Sequence, residues 1–490
     1  MKTVPAFWFE PQPWIDGCWH RGTEPCAVRN PATGEILATV ARADAALTAR
    51  AIDSAAVALA AWKECPAAER GEILKRTAGL LISRRDAFAR LLTAEQGKPW
   101  AQAAGEVDYA ASFFQWFGEE ARRVQGRIVP HPQAGREFLV EHRPAGVAGL
   151  ITPWNFPLAQ GAKKVAAALA AGCTAVWKPA EVTPLVALAL APLLAEAGLP
   201  AGVLQILPGQ GSVIGPVLAS HPAVAVLSLT GSTATGSGLM AAAAAGIKRV
   251  SLELGGNAPF IILPDADLEL AANDLVRLKT FVSGQVCVTA NRVFVHQSVE
   301  GLVIEKVAAR LEALRVGNGL ADGIDAGPLI HRGACDGVGA LVAEAVADGA
   351  RVVVANHSYL SDSALDTNAF FPPTLLSGVH DSMRLAREEI FGPVIPLLSY
   401  RTVADAVERA NATPYGLAAY VYGADLARCR AVASRLEVGI VGVNEWRPLK
   451  AEIPFGGVKH SGIGAEGGEE GIREFLETRV VSMPKAGIEG

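Results

Sequence analysis

From about Ala43 to Gln125 apolar residues recur at three- and four-residue spacing. "DAALTARAIDSAAVALAAWKE" and "AAERGEILKRTAGLLISRRDAFARLLTAEQG" both carry that period, which predicts amphipathic helices. From about Gly146 the pattern changes to short apolar runs, each followed by a helical stretch. "GVAGLITPW" leads into "AQGAKKVAAALAAG", "TAVWKP" into "LVALALAPLLAEAG", and "GVLQILPG" into "VIGPVLASH", before "VAVLSLTGS". Uninterrupted apolar runs predict strands covered on both faces, and their alternation with helices predicts a parallel sheet of the dinucleotide-binding type. A second α/β stretch follows "LELGG" and runs to about Asn444. Two segments fit neither block. "GRIVPHPQAGREFLVEHRP" (126–144) reads as a hairpin, and "REFLETRVVSMP" (473–484) as a lone strand. Such pieces pair with each other or with another subunit, or form a small edge sheet within one monomer.

Length and composition add bounds. A chain of 490 residues, half of them hydrophobic, divides into two or three domains with ample core. The net charge of −5, without a dense Lys/Arg cluster, gives no reason to expect nucleic-acid binding. The start, "MKTVPAFWFEPQPWIDG", lacks the basic and apolar regions of a secretory signal. The richest apolar run, "LVALALAPLLAEAGLPAGVLQIL", is broken by Pro192 and Glu196, so no membrane span is expected. The seven cysteines are Cys18, Cys26, Cys65, Cys173, Cys287, Cys335 and Cys429. They are scattered and none forms a CxxC pair, which predicts a reduced, cytoplasmic protein. There is no HExxH, and no metal site is expected.

Several short stretches then stand out. In "SGQVCVTANR", Cys287 is either a small core hydrophobe or a nucleophile. Its flanks suit a loop-to-helix transition, where the local field lowers a thiol pKa. In "SLELGGNAP", Glu253 ends an apolar run, as a paired strand-end carboxylate or as a general base with a raised pKa. In "LITPWNFPLAQGAKK", Asn155 sits where a strand gives way to a helix, either in an Asx turn or as an oxyanion donor. Lys178 and Glu181 in "VWKPAEVTP" stand at a strand end, poised to meet a ribose. Gly231, Ser232 and Gly236 in "LTGSTATG" frame a turn that opens into a helix and suits a pyrophosphate. "REEIFGPVIP" and "PFGGVKHSGIG" are loop-like yet carry specific aromatics and charges.

The ordered set WNFP, KPAE, TGSTxxG, LELGG, GQxC, EEIFGP and PFGGxKxSG resembles the NAD(P)-dependent aldehyde dehydrogenase superfamily. The likeness runs from "NPATGE" (30–35) to the C-terminus. "LELGGNAPFI", "CVTANR", "GLAAYVY" and "VGIVGVNE" look nearest to the succinate-semialdehyde dehydrogenase-like subgroup. The resemblance implies an α/β fold with a Rossmann-type cofactor domain (1–125 and 145–253), an α/β catalytic domain (254–444) and a small β oligomerisation element (126–144 and 471–490). Residues 445–470 would return to the cofactor domain and the active-site mouth. It implies Cys287 as nucleophile, Asn155 with the Cys287 N–H as the oxyanion site, and Glu253 as the base that activates water. For the cofactor it implies Trp154, Lys178, Glu181, Gly231, Ser232, Glu389 and Phe391. A carboxylate at Glu181 favours NAD over NADP, although some members tolerate the 2′-phosphate.

Two departures from the subgroup bear on the substrate. The arginine six residues before the nucleophile is Phe281 here, and the frequent cysteine two beyond it is Thr289. Lys163 stands where the subgroup has an arginine, and "NEWRPLKAEIPFGG" brings Arg447 and Lys450 toward the pocket mouth. With Phe156, Phe281, Lys163 and Arg447 at the substrate site, the reading is NAD-dependent oxidation of an anionic semialdehyde to its acid. The alternatives are a broad neutral-aldehyde oxidiser, a CoA-acylating enzyme, disfavoured by Glu253, or a non-catalytic dehydrogenase scaffold. The family's use of the hairpin and final strand implies a homodimer or homotetramer.

Overall fold

The helical period upstream of residue 125 yields helices Ala45–Trp62, Ala67–Ser83, Arg85–Gln96 and Trp100–Glu120 in the computed structural model, which describes residues 3–485. The first is set off by Asp44, whose carboxylate accepts the Leu47 N–H at 2.7 Å. By length and composition alone this helix would pass for a membrane span. Its apolar stripe of Ala51, Ile52 and Ala55 is instead packed with Val147 and Val176 of the first large sheet.

That sheet has a parallel centre. Its strands lie in the order Leu204–Ile206, Thr174–Lys178, Val147–Ile151, Val224–Thr230 and Arg249–Glu253. Short antiparallel strands, Trp14–Ile15 with Cys18–Trp19 and Gly462–Ile463, close its two edges. The middle strands carry almost no exposed residue, which accounts for their unbroken apolar runs. Strand order reverses between Val147–Ile151 and Val224–Thr230. A doubly wound sheet opens a crevice at that point, beyond the carboxyl ends of the strands.

The second sheet runs Arg351–Ala355, Thr374–Ser377, Val394–Tyr400, Ala290–His296, Ala258–Ile262, Ala418–Tyr422 and Ile440–Val443, with only the first pair antiparallel. The chain passes from the first sheet to the second through Gly255 and Gly256. A Cβ on Gly256 would overlap the Cys287 carbonyl oxygen, so this crossing admits only glycine. The end of one sheet is thereby pressed against the loop that feeds the other.

Strand Leu476–Pro484 pairs antiparallel with Arg136–Pro144 over its whole length, and Arg127–Pro130 adds the third strand. The hairpin and the lone strand are thus partners within one chain. Residues 486–490 of the stretch assigned to this element lie outside the described residues.

Candidate active site

Cys287 is half-buried in a loop that leads into strand Ala290–His296. This corrects the expected loop-to-helix transition, because the β-branched run downstream continues as strand. Among the described residues no α-helix starts at this loop to favour the thiolate. Burial, with the nearby Glu389 charge, instead pushes the thiol up to about 12, partly offset by Lys163.

The loop upstream is held in an unusual conformation. Val282 and Ser283 both have positive φ, 50° and 53°. Such conformations in non-glycine residues cost of order 1–3 kcal/mol each and need external support. Gln102 Oε1 accepts the Val282 N–H at 2.8 Å, and Ser283 Oγ donates to Gly327 O at 2.8 Å. Gln285 ties the turn further, donating to Val282 O at 2.9 Å and accepting from Ile330 N at 2.9 Å. At Gly284 an added Cβ would run into Gly392.

Asn155 comes from the loop after strand Val147–Ile151. Its Oδ1 accepts the Phe156 N–H at 3.1 Å, which orients the amide, and Nδ2 donates one hydrogen to Gln285 O at 2.9 Å. An amide nitrogen has two hydrogens, so one stays available beside the Cys287 loop. Two groups that sequence reasoning missed hold this loop. Buried Lys98 pairs with Glu106 and donates to Asn155 O at 2.7 Å. Glu106 in turn accepts the Leu158 and Ala159 N–H groups at 3.0 and 3.1 Å, capping helix Ala159–Ala171. Nothing local marks them, since Lys98 sits in the loop between two helices and Glu106 is one of several carboxylates on the second.

Glu253, at the end of its strand, is 1% exposed, and both carboxylate oxygens lack hydrogen-bond partners. Burial and the charge of Glu466 push its pKa well above the usual range, against the pull of Lys163 and Lys164. Glu466 behaves oppositely. Burial alone would raise it, but Lys163 at 2.6 Å and Lys164 hold it down at about 2. Neither Lys164 nor Glu466 was singled out from the sequence.

Two cavities meet at the cysteine. One, of about 220 Å³, is lined by Trp154, Asn155, Gly231, Ser232, Cys287, Glu389 and Phe391, among others. Trp154 and Phe391 meet edge-on at 5.4 Å. Glu389, pushed up to about 7 by burial, accepts the Gly256 N–H at 3.1 Å. Ser232 caps helix Thr233–Ala244 by accepting the Thr235 N–H at 3.2 Å. Lys178 and Glu181 stand at the neighbouring strand end, 3.8 Å apart, where Glu181 accepts the Gly211 N–H at 2.7 Å. A helix start, a polar strand end and an aromatic pair along one crevice suit a dinucleotide.

The other cavity, about 50 Å³, is a chiefly apolar chamber lined by Phe156, Leu278, Phe281, Val286, Val288, Leu449 and Phe455, with Tyr109, Gln160, Lys163 and Arg447. Lys163 does line it, but its ammonium is taken by Glu466 and packed 4.2 Å from the Phe455 ring. It is therefore not the free cation expected from the sequence. Arg447 is free of that constraint. Its guanidinium lies 4.9 Å from the Phe281 ring, and among the described residues it has no ion-pair partner. Arg277 lies 5.0 Å from the Trp446 ring beside it, and Lys450 is exposed.

The high thiol pKa has a direct consequence. Alkylation of Cys287 in the free protein rises about tenfold per pH unit between pH 7 and 9 without a plateau, because the thiolate fraction grows tenfold per unit below the pKa. Peptide mass spectrometry after timed iodoacetamide treatment measures it. A plateau below pH 8 would contradict the raised thiol pKa.

A model of the aldehyde dehydrogenase family matches residues 19–481. A 3-sulfolactaldehyde dehydrogenase of Pseudomonas putida is 44% identical over 474 residues, covering 96% of each chain. An NADP-dependent succinate-semialdehyde dehydrogenase of Escherichia coli is 44% identical over 485 residues, covering 99% of this chain and all of its own. The crystal structure of a succinate-semialdehyde dehydrogenase from Burkholderia pseudomallei superposes with a TM-score of 0.94 at 44% identity, covering 97% of this chain and 98% of that one.

Proposed function

The chain belongs to the aldehyde dehydrogenase family, and on that premise we propose that it oxidises anionic semialdehydes to acids through Cys287, Asn155 and Glu253. It is an NAD(P)-dependent oxidoreductase, as its family is. The observation that carries the reading is that Cys287 opens both into the crevice beyond the strand ends and into an apolar chamber with Arg447 at its rim. The Cys287 thiolate attacks the aldehyde carbon, and the oxyanion is met by the remaining Asn155 amide hydrogen and the Cys287 N–H. Bound NAD(P) supplies the hydride acceptor. Glu253 then takes a proton from the water that hydrolyses the thioester.

Trp154, Lys178, Glu181, Gly231, Ser232, Glu389 and Phe391 would hold the dinucleotide. A carboxylate at Glu181 would accept a ribose 2′-hydroxyl and repel a 2′-phosphate, which supports NAD over NADP. Phe156 and Phe281 would wall the substrate, ring centroids 5.6 Å apart. Arg447, backed by Arg277, would meet the acid tail, in line with the sulfo- and carboxy-aldehydes named for the relatives. The three-stranded sheet, with Ile128 and Val480 exposed, supports assembly into a homodimer or homotetramer. A cytoplasmic location is the accompanying proposal.

Purified protein given length-matched aldehydes reduces NAD(P), and carboxylate- or sulfonate-tailed substrates exceed neutral ones at least tenfold in kcat/KM. Tenfold equals about 1.4 kcal/mol of transition-state binding. No reduction with any aldehyde would overturn the oxidative reading. Reduction without anion preference would overturn only the role of Arg447.

A further inference from the structure

Among the described residues, only Cys287 and Gln160 line both cavities. Gln160, in the first turn of helix Ala159–Ala171, is 5% exposed. Its Oε1 is enclosed and has no hydrogen-bond partner, and among the described residues its amide nitrogen has none either. A buried carbonyl oxygen left unpaired costs about 1–3 kcal/mol, so its retention where the two cavities meet calls for a partner that arrives with a ligand. Apart from Tyr109 and, at the rim, Arg447, the rest of the inner chamber offers little to a polar substrate. Its walls are mainly Phe, Val and Leu, and the Lys163 charge is already paired.

We propose that Gln160 is a specificity-determining residue that reads a hydroxyl group on the carbon next to the aldehyde. This rests on the oxidative reading above and narrows its substrate class to hydroxylated anionic semialdehydes. The position follows from adjacency. A group that lines both cavities, as Cys287 does, stands where the chamber opens toward the crevice and so toward the carbon under attack, whereas Arg447 lies at the rim with Trp446 and Phe281. The chemistry follows from the amide. A hydroxyl both donates and accepts, so it satisfies whichever end of Gln160 turns toward it. A site built to bond a hydroxyl also rejects the analogue that lacks it, because binding that analogue leaves the amide unpaired.

The test uses two ω-carboxy aldehydes of equal length, one carrying a hydroxyl beside the aldehyde and one without it. They are assayed with wild type and with Gln160→Met, which keeps side-chain length but removes the polar end. Wild type is expected to favour the hydroxylated aldehyde at least tenfold in kcat/KM. In Gln160→Met that ratio falls to within twofold, through loss on the hydroxylated substrate, gain on the deoxy aldehyde, or both. A wild-type circular dichroism spectrum and thermal midpoint report that the variant is folded. Equal turnover of the pair by wild type would overturn the proposal, as would parallel loss on both substrates in the variant. A variant whose main defect is a raised KM for NAD would assign Gln160 to the cofactor instead and overturn it too. Inertness toward every aldehyde would instead sink the oxidative reading itself.

Discussion

Replacing Cys287 with Ala abolishes aldehyde-dependent NAD(P) reduction and leaves dinucleotide binding intact. The loss is expected to be at least about 10⁴-fold, or about 5 kcal/mol, because removal of a covalent nucleophile leaves only the background contributed by binding and oxyanion contacts. No neighbour can take over. Thr289 is fully buried and spends its hydroxyl on Leu278 O at 3.3 Å, and Ser283 is likewise committed to Gly327 O. The fold should tolerate the change, since the loop is held by Gln102, Ser283 and Gln285 and not by the sulfur. Nor is the crevice dismantled, because Trp154, Ser232, Glu389 and Phe391 keep their places without Cys287. Titration with NAD, followed by tryptophan fluorescence, reads the binding, and a coupled assay reads the turnover. A variant within tenfold of wild type would remove Cys287 from the chemistry.

What the sequence disclosed follows from local and topological rules. Alternating strands and helices define a doubly wound sheet, and such a sheet has one crevice. Asn155 and Gly231–Ser232, each just after a central strand, were therefore legible as neighbours of that crevice. The context of Cys287 was not. Small flanking residues suit a helix start as well as a strand approach, and only pairing with Ala258–Ile262 and Val394–Tyr400 decides for the strand. Lys163 was misjudged for a different reason. Its charge is cancelled by Glu466, hundreds of residues away in the chain, and no local pattern announces such a partner. The same distance hid Arg277, whose place beside Trp446 depends on a segment that folds back from the second sheet.

Glu253→Gln produces a burst of about one NADH per active site, followed by a steady state slower by about 10³-fold, the scale of a lost general base. The substitution is close to isosteric, and neither Glu253 oxygen is hydrogen-bonded, so no native contact is forfeited. What disappears is a proton acceptor. Burial and the charge of Glu466 hold Glu253 well above the usual carboxyl range, which makes it a stronger base than an exposed glutamate once it has ionised. Glu466, whose charge acts on Glu253, is no substitute, because Lys163 and Lys164 hold it down at about 2, too weak a base to activate water at neutral pH. The thioester should therefore form and then wait, since attack of the thiolate and departure of the hydride precede any need for water. Rapid-mixing absorbance of NADH separates the two phases, and acid quench followed by mass spectrometry should find the acyl group on Cys287. If Glu253 also deprotonates the thiol, the burst slows but keeps its amplitude, because the thiol, pushed up to about 12, still ionises in a small fraction of molecules. Normal turnover with no burst would leave the orphaned carboxylate without a role in hydrolysis, and the base would have to be sought elsewhere along the crevice.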